Sequence, residues 1–317
     1  MARTASIGEA RRRLPRQFVE TLSASFPQAA AERILRGMGA ARRTTLRANT
    51  LRATASGVME FFRSSSVKWQ RVPWYPDAFI LADLDERDVA EWDLYREGMI
   101  YLQSLASMIP PLALEPRPGE RILDIAAAPG SKTTQMAALM DNRGFILANE
   151  LDAIRAERLA YNLRLQGVSI AETRVGRGEK LGAEMPGSFD RVLLDVPCSG
   201  EGRFVVFQPA TSRAWSPRLV ADCVRLQKKL IASGVQAVRP GGVLVYSTCT
   251  LNLEENEKIV QWALDSFPLE VERIPVSIPG SFAALSRGRD PAVGRALRLF
   301  PDRDREGFFL CRMRKRI

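Results

Sequence analysis

Four cysteines are spread over the chain, and two of them stand at positions suited to reaction. Cys198 lies in Asp195-Val-Pro-Cys-Ser-Gly200 and Cys249 in Ser247-Thr-Cys-Thr250, each just past an apolar run that reads as a buried strand. Their neighbours Pro197, Ser199, Gly200, Ser247 and Thr248 are small or turn-forming, which puts both sulfurs at a rim. Cys223 and Cys311 sit inside a helical run and an apolar strand, where a cysteine is ordinary packing. Two rim cysteines suit a redox pair, metal ligands or a thiolate nucleophile with an accompanying acid. No CxxC pair and no further soft ligands accompany them, which argues against a metal. The chain has no histidine. That excludes Ser-His-Asp and Cys-His catalysis, histidine general bases and histidine metal sites.

A second group of residues reads as a ligand loop. Asp124-Ile-Ala-Ala-Ala-Pro-Gly-Ser-Lys-Thr133 runs from a strand through small residues into a helix start. Ala126, Ala127, Ala128 and Gly130 let a ligand approach the backbone, and the helix N-terminus offers free N–H groups. The spacing to Lys132 is wrong for a phosphate loop, and no GxGxxG occurs. A nucleotide-like ligand without a pyrophosphate fits better, with Glu150 at the next strand end placed to accept ribose hydroxyls.

The elements that must position these residues alternate. Strand-like runs at 121–126, 144–150, 189–197, 241–249 and 307–314 are separated by amphipathic helical runs at 131–140, 152–166, 217–238 and 254–265. Alternating strands and helices predict a doubly wound, mostly parallel α/β sheet with its ligand at the carboxyl ends of the strands. Before residue 100 the style differs. Residues 14–39 show helical periodicity, 46–53 read as extended, 58–64 as a short helix, and 69–81 as an aromatic, turn-rich run. This divides the chain into a module over 1–98 and a body over 99–317.

Charge follows the same division. The net charge of +10 over 317 residues falls entirely within residues 1–75, which hold 14 basic and 4 acidic side chains. Arg11, Arg12, Arg13, Arg16, Arg33, Arg36, Arg42, Arg43, Arg47, Arg52, Arg63 and Arg71 make up most of it. Arginine forks match phosphate oxygens, so a neutral body with a basic module reads as a polyanion-docking protein. Trp69, Trp74 and Tyr75 either stack unpaired bases or pack between the domains. Glu9 and Glu20 argue against a transit peptide. No apolar run nears the roughly 20 residues of a membrane helix, so no membrane partner and a soluble, cytoplasmic protein are expected.

The runs LDIAAAPGSKT, FDRVLLDVPCSGEG and GGVLVYSTCTLNLEENEKIV resemble the signature blocks of the NOL1/NOP2/Sun family, S-adenosylmethionine-dependent RNA cytosine-C5 methyltransferases. LPRQF, LRANTLRA, VPWYPDAF and the closing EGFFLCRMRK resemble its bacterial ribosomal RNA branch in a short form without C-terminal RNA-binding extensions. The resemblance implies a class I methyltransferase (Rossmann-like) fold with a mostly parallel seven-stranded sheet and a small basic α+β N-terminal domain. It implies S-adenosylmethionine as cofactor, RNA (ribosomal RNA first) as partner, and a monomer. By resemblance Cys249 matches the nucleophile that adds to carbon-6 of cytosine, and Cys198 the residue that removes the carbon-5 proton and releases the enzyme. Asp195 matches the carboxylate on the cytosine N3/N4 edge and Lys132 the lysine near base and methyl donor. Ala126, Ala127, Ala128, Pro129, Gly130, Ser131, Lys132, Glu150 and Asp195 match cofactor contacts, and Arg177 is placed among them at the position aligned with a further family contact. The target cytosine would be presented flipped out of its stack.

Two positions depart from the family pattern. Arg177 stands where the family carries an aspartate on the adenine side of the cofactor, with Glu179 nearby, and Ser104 follows Gln103 where an acidic residue is usual. The alternatives are a transfer RNA enzyme, a DNA cytosine methyltransferase with the Pro-Cys cysteine as nucleophile, and a non-catalytic RNA-binding assembly factor on a methyltransferase fold.

Overall fold

Pro15 and Pro27 have no N–H to continue a helix, and they split the periodicity of 14–39 into separate elements. The computed structural model, which describes residues 4–317, opens with α1 (Ile7–Arg13), α2 (Arg16–Ser25) and α3 (Gln28–Met38). There follow β1 (Thr45–Ala48), α4 (Ala55–Ser64), β2 (Trp69–Val72), β3 (Tyr75–Leu81), α5 (Glu86–Ala90), α6 (Asp93–Arg96) and β4 (Ile100–Leu102). Among the described residues β2-β3-β1-β4 form a four-stranded antiparallel sheet. Its core gathers Phe62, Phe79 and Trp69, so Trp69 is a packing residue. Tyr75 is buried and Trp74 stacks beside it. Tyr75 and Trp74 pack against Leu105 and Met108 of the larger unit, as the interface reading expects, whereas Trp69 packs within the N-terminal sheet.

The larger unit begins with α7 (Leu105–Leu114) and alternates from there. Its elements are β5 (Arg121–Asp124), α8 (Ser131–Leu139), β6 (Phe145–Glu150), α9 (Ala153–Leu165), β7 (Ala171–Val175), α10 (Leu181–Glu184), β8 (Phe189–Asp195), α11 (Pro217–Ala237), β9 (Val238–Thr248), α12 (Glu257–Ser266), β10 (Leu269–Glu272), β11 (Ser281–Ala283), β12 (Leu297–Leu299) and β13 (Phe308–Lys315). The sheet order is β11-β12-β13-β9-β8-β5-β6-β7, with β10 also pairing β13. Strands β7, β6, β5, β8 and β9 are parallel, and β13 returns antiparallel against β9. This is the Rossmann-like arrangement with its switch between β5 and β8, where a ligand crevice forms. Among the described residues the sheet has nine strands and not seven. The extra strands β11 and β12 are three residues each, too short to show an alternating pattern.

The two units share a core. Phe18 of α2 stacks edge-on with Phe204 and Trp215, and Phe26 with Phe300. Burying each such ring stabilises the contact by about 1.5–3 kcal/mol. The N-terminal helices are thereby fixed to the segments that follow Cys198 and precede β13.

Several N-terminal arginines are part of this join, a correction to their grouping as phosphate contacts. Arg47 is fully buried: its Nε donates to Gln103 Oε1 (2.8 Å) and its Nη2 to Thr134 Oγ1 (2.7 Å) at the start of α8. Arg42 donates to the carbonyls of Gly202, Arg203 and Phe204, and Arg43 pairs with Asp304. An arginine so committed has no fork left for phosphate. Arg11, Arg12, Arg13, Arg16, Arg33, Arg36, Arg52, Arg63 and Arg71 remain exposed.

Candidate active site

The strand ends converge on one cleft of about 700 Å³. Asp124, Glu150 and Asp195 each close an apolar parallel strand, so all three carboxylates are delivered to the same edge of the sheet. Gly130 caps α8 at φ +105°, a left-handed turn that favours glycine and lets the chain reverse into the helix. Gly130 itself does not line the cleft, whereas Ala126, Ala127, Ala128, Pro129, Ser131 and Lys132 do. Thr133 Oγ1 donates to Asp124 Oδ2 at 2.7 Å, tying the helix start to the strand end.

At the β8–β9 side the two cysteines meet. Cys198 and Cys249 have their sulfurs 3.2 Å apart, although 51 residues separate them. Lys132 Nζ pairs with Asp195 Oδ2 at 2.6 Å and donates to Ser107 Oγ at 2.9 Å, while Ser247 Oγ donates to Asp195 Oδ1 at 2.7 Å. The Cys198 thiol is pushed well above its usual range, first by its hydrogen bond with Cys249 and then by burial. Burial works against the Lys132 ammonium, but the Asp195 carboxylate, with Asp124 and Glu306, outweighs it and holds the charge above the ordinary lysine range. The turn carrying Cys198 is anchored from behind by the buried Glu255, which accepts from the Ser199 N–H and hydroxyl. Burial pushes Glu255 up to about 7.

The opposite half of the cleft has open acceptors. Glu150 Oε1 accepts from the N–H groups of Leu151 and Asp152, but its Oε2 is buried without a partner. Asp124 Oδ1 and Asn149 Oδ1 are likewise buried and unpaired among the described residues. Burial raises Asp124 to about 7. Pro197, Leu226 and Leu230 supply apolar walls nearby. Hydroxyl and amino donors beside a flat ring are what this half lacks, so it fits a nucleoside carrying an amino-acid group, and S-adenosylmethionine is such a molecule.

Two residues flagged by the sequence are placed differently. Arg177 does not line the cleft, because its guanidinium turns outward onto Glu179 (2.8 Å) and leaves Gly178 and Glu179 as the lining residues. Ser104 lines the cleft and donates to Glu306 Oε1 at 2.7 Å. Glu306, Ser107, Arg203 and Glu255 are site residues that motif reading passed over. Glu306 opens the EGFFLCRMRK run, which counts in the sequence only as part of the resemblance. Among the described residues no group of three or more Cys, Asp or Glu side chains is placed to hold a metal ion. Nor is any described helix long and apolar enough to cross a membrane.

Known proteins resemble the chain over most of its length. Residues 111–314 match the family model for 16S rRNA methyltransferase RsmB/F, and residues 14–105 match that for the N-terminal domain of 16S rRNA methyltransferase RsmF. The ribosomal RNA small subunit methyltransferase F of Cronobacter sakazakii is 38% identical over 310 residues, covering 95% of this chain and 63% of the relative. That of Klebsiella pneumoniae is 42% identical over 281 residues, covering 86% and 57%. The chain thus spans roughly three-fifths of the length of these curated relatives. A solved structure of a methyltransferase homolog protein from Pyrococcus horikoshii superposes with a TM-score of 0.85 at 31% identity, covering 98% of each chain.

Proposed function

The chain belongs to the 16S rRNA methyltransferase RsmB/F family, and from that premise we propose that it transfers a methyl group from S-adenosylmethionine to carbon-5 of a cytosine in small-subunit ribosomal RNA. The observation that carries the chemistry is the 3.2 Å approach of Cys198 and Cys249 beside the Lys132–Asp195 pair. Carbon-5 of cytosine is too weak a nucleophile to take a methyl group unaided. The Cys249 thiolate adds to carbon-6, forming an S–C bond and moving the ring electrons so that carbon-5 becomes nucleophilic. Asp195, held by Lys132 and Ser247, takes the N3/N4 edge of the ring and supports that charge shift. Glu150, Asp124 and the 126–132 loop would hold S-adenosylmethionine, which would supply the electrophilic methyl group for carbon-5 and be left as the neutral thioether.

Release falls to Cys198. Its thiol is held protonated chiefly by its hydrogen bond with Cys249. Once the Cys249 sulfur is bonded to carbon, its negative charge is gone and so is that restraint. Cys198 then gives its proton to water and, as thiolate, removes the carbon-5 proton. The electrons re-form the 5,6 double bond and expel Cys249 as thiolate. Residues 1–98 act as the docking domain, with the exposed arginines of α1 to α4 against phosphates. The proposed enzyme works as a cytoplasmic monomer.

The test is adduct trapping. Purified protein, S-adenosylmethionine and unmodified small-subunit rRNA are combined, and protein–RNA species are resolved under denaturing conditions. C198A is expected to accumulate a covalent RNA adduct, while C249A forms none and adds no label to RNA. Adduct in C249A, or label in 5-methylcytidine from C249A, contradicts the assignment of roles.

A further inference from the structure

Asp195 on the N3/N4 edge takes one N–H of the carbon-4 amine, which leaves the second N–H of that amine to another acceptor. Asp195 Oδ1 accepts from Ser247 Oγ at 2.7 Å and its Oδ2 pairs with Lys132 Nζ at 2.6 Å. A second carboxylate faces the same part of the cleft. Glu306 lies just before β13, which neighbours β9 in the sheet, whereas the open acceptors Asp124, Asn149 and Glu150 end β5 and β6. Glu306 is therefore on the cysteine side and away from the nucleoside half.

Its position is rigid. Gly307 N–H donates to Gly202 O at 2.9 Å, and Gly202 N–H donates to Cys249 O at 2.9 Å. A Cβ at Gly202 would stand 2.0 Å from Gly307 O, so only glycine allows this backbone approach. Glu306 is thereby tied through two hydrogen bonds to the backbone of Cys249. Its side chain is 13% exposed. Oε1 accepts from Ser104 Oγ, but Oε2 has only Arg203 Nε at 3.9 Å, too far for a hydrogen bond. Lys132 and Arg42 lie within electrostatic reach of the same carboxylate.

An acceptor-only group with one free oxygen, lining the same cleft as Cys249, has a defined preference. Cytosine offers an amine with two N–H donors at carbon-4, and uracil offers a carbonyl there. A carboxylate accepts from the first and repels the second. We infer that Glu306 receives the carbon-4 amine of the target base through Oε2 and so selects cytosine over uracil, a refinement that rests on the cytosine-C5 reading above.

The test uses the full chain and transcripts in which the cytosine that wild type converts to 5-methylcytidine is replaced by 5-fluorocytidine or 5-fluorouridine. Covalent adduct is measured under single turnover, and S-adenosylmethionine affinity by calorimetry. For Glu306→Ala, adduct formation with the 5-fluorocytidine transcript is expected to fall about tenfold to a hundredfold, as for loss of a hydrogen bond to a charged group. The preference over the 5-fluorouridine transcript should fall with it, while cofactor affinity stays at the wild-type value. Ser104→Asp in the Glu306→Ala background returns a carboxylate from the residue that now touches Glu306, and should recover most of the preference. An unchanged preference in Glu306→Ala overturns the inference, as does an equal loss with both transcripts. That second outcome is what a mere brace on Ser104 gives. A wild-type chain that labels no RNA overturns the cytosine-C5 reading itself, and is distinguishable because no target base is then found to substitute.

Discussion

The two halves of the cleft handle their polar groups in opposite ways. On the β8–β9 side Asp195 has both oxygens engaged, Lys132 has two partners, and the two sulfurs face each other. On the β5–β6 side Asp124, Asn149 and Glu150 each keep a buried oxygen without a partner among the described residues. A buried unsatisfied polar atom costs about 1–3 kcal/mol, so three in one place mark a surface completed by a ligand. The paired side needs no ligand to be ordered. It is preorganised, as charge-stabilising groups must be if they are not to reorganise during reaction. One half is built to bind and the other to react.

If that division holds, breaking the paired side damages rate far more than affinity. Lys132→Met keeps the apolar stem and removes the ammonium, leaving Asp195 Oδ2 without its partner. The single-turnover methylation rate at saturating cofactor is expected to drop roughly a hundredfold to a thousandfold. The change in S-adenosylmethionine affinity should be at least tenfold smaller than the change in rate, although Lys132 borders both halves. Equal losses in rate and affinity would erase the distinction between the halves.

The complementary change acts on the open side. Glu150→Gln retains the shape and removes the charge of an oxygen that has no partner in the free protein. Calorimetry should show S-adenosylmethionine binding weakened about tenfold, the scale of a charge-assisted hydrogen bond reduced to a neutral one. The methylation rate at saturating cofactor should stay within about twofold of wild type, since the residue binds and does not react. A rate loss that saturation does not restore would place Glu150 in the reaction.

How much of this was legible in the sequence depended on where the information sits. Asp124, Glu150, Asp195, Cys198 and Cys249 each follow an apolar run, and a polar residue ending a buried strand announces its own location. β7 was missed because it is an edge strand whose Ala171-Glu-Thr-Arg-Val175 is only partly buried and shows no apolar run. α7 was missed because Pro110 and Pro111 lie inside it, where local rules end a helix but burial in the core sustains it. The arginines show the limit most clearly. Arg12 and Arg47 are the same residue in the same basic module, yet one is exposed and the other wholly buried against Gln103 and Thr134. Glu306 reaches the cleft only because β13 pairs antiparallel with β9, a long-range register with no local sign.

The halves also separate by pH. Burial raises Asp124 to about 7 in the folded protein, against an ordinary value near 3.8. Between those two values the unfolded chain has released the proton and the folded chain still holds it. The folded state then binds more protons, so stability falls as pH rises from about 4 to about 7 and levels off above. The full linkage for a shift of that size is about 4 kcal/mol, taken as an upper bound. Glu255, also raised to about 7, contributes with the same sign. Asp124→Asn stays neutral throughout, and its amide oxygen can still accept from Thr133. Urea unfolding at pH 5 and pH 7.5 should therefore show a wild-type loss of stability that shrinks by about half in Asp124→Asn, leaving the Glu255 share. Bound S-adenosylmethionine brings a cation and donors to the open half, so it favours the ionised carboxylate. Saturating cofactor should flatten the wild-type slope and leave the Asp124→Asn slope nearly unchanged. A slope equally steep in both proteins would mean that the open half carries no titrating carboxylate, and the contrast between the two sides of the cleft would rest on hydrogen bonding alone.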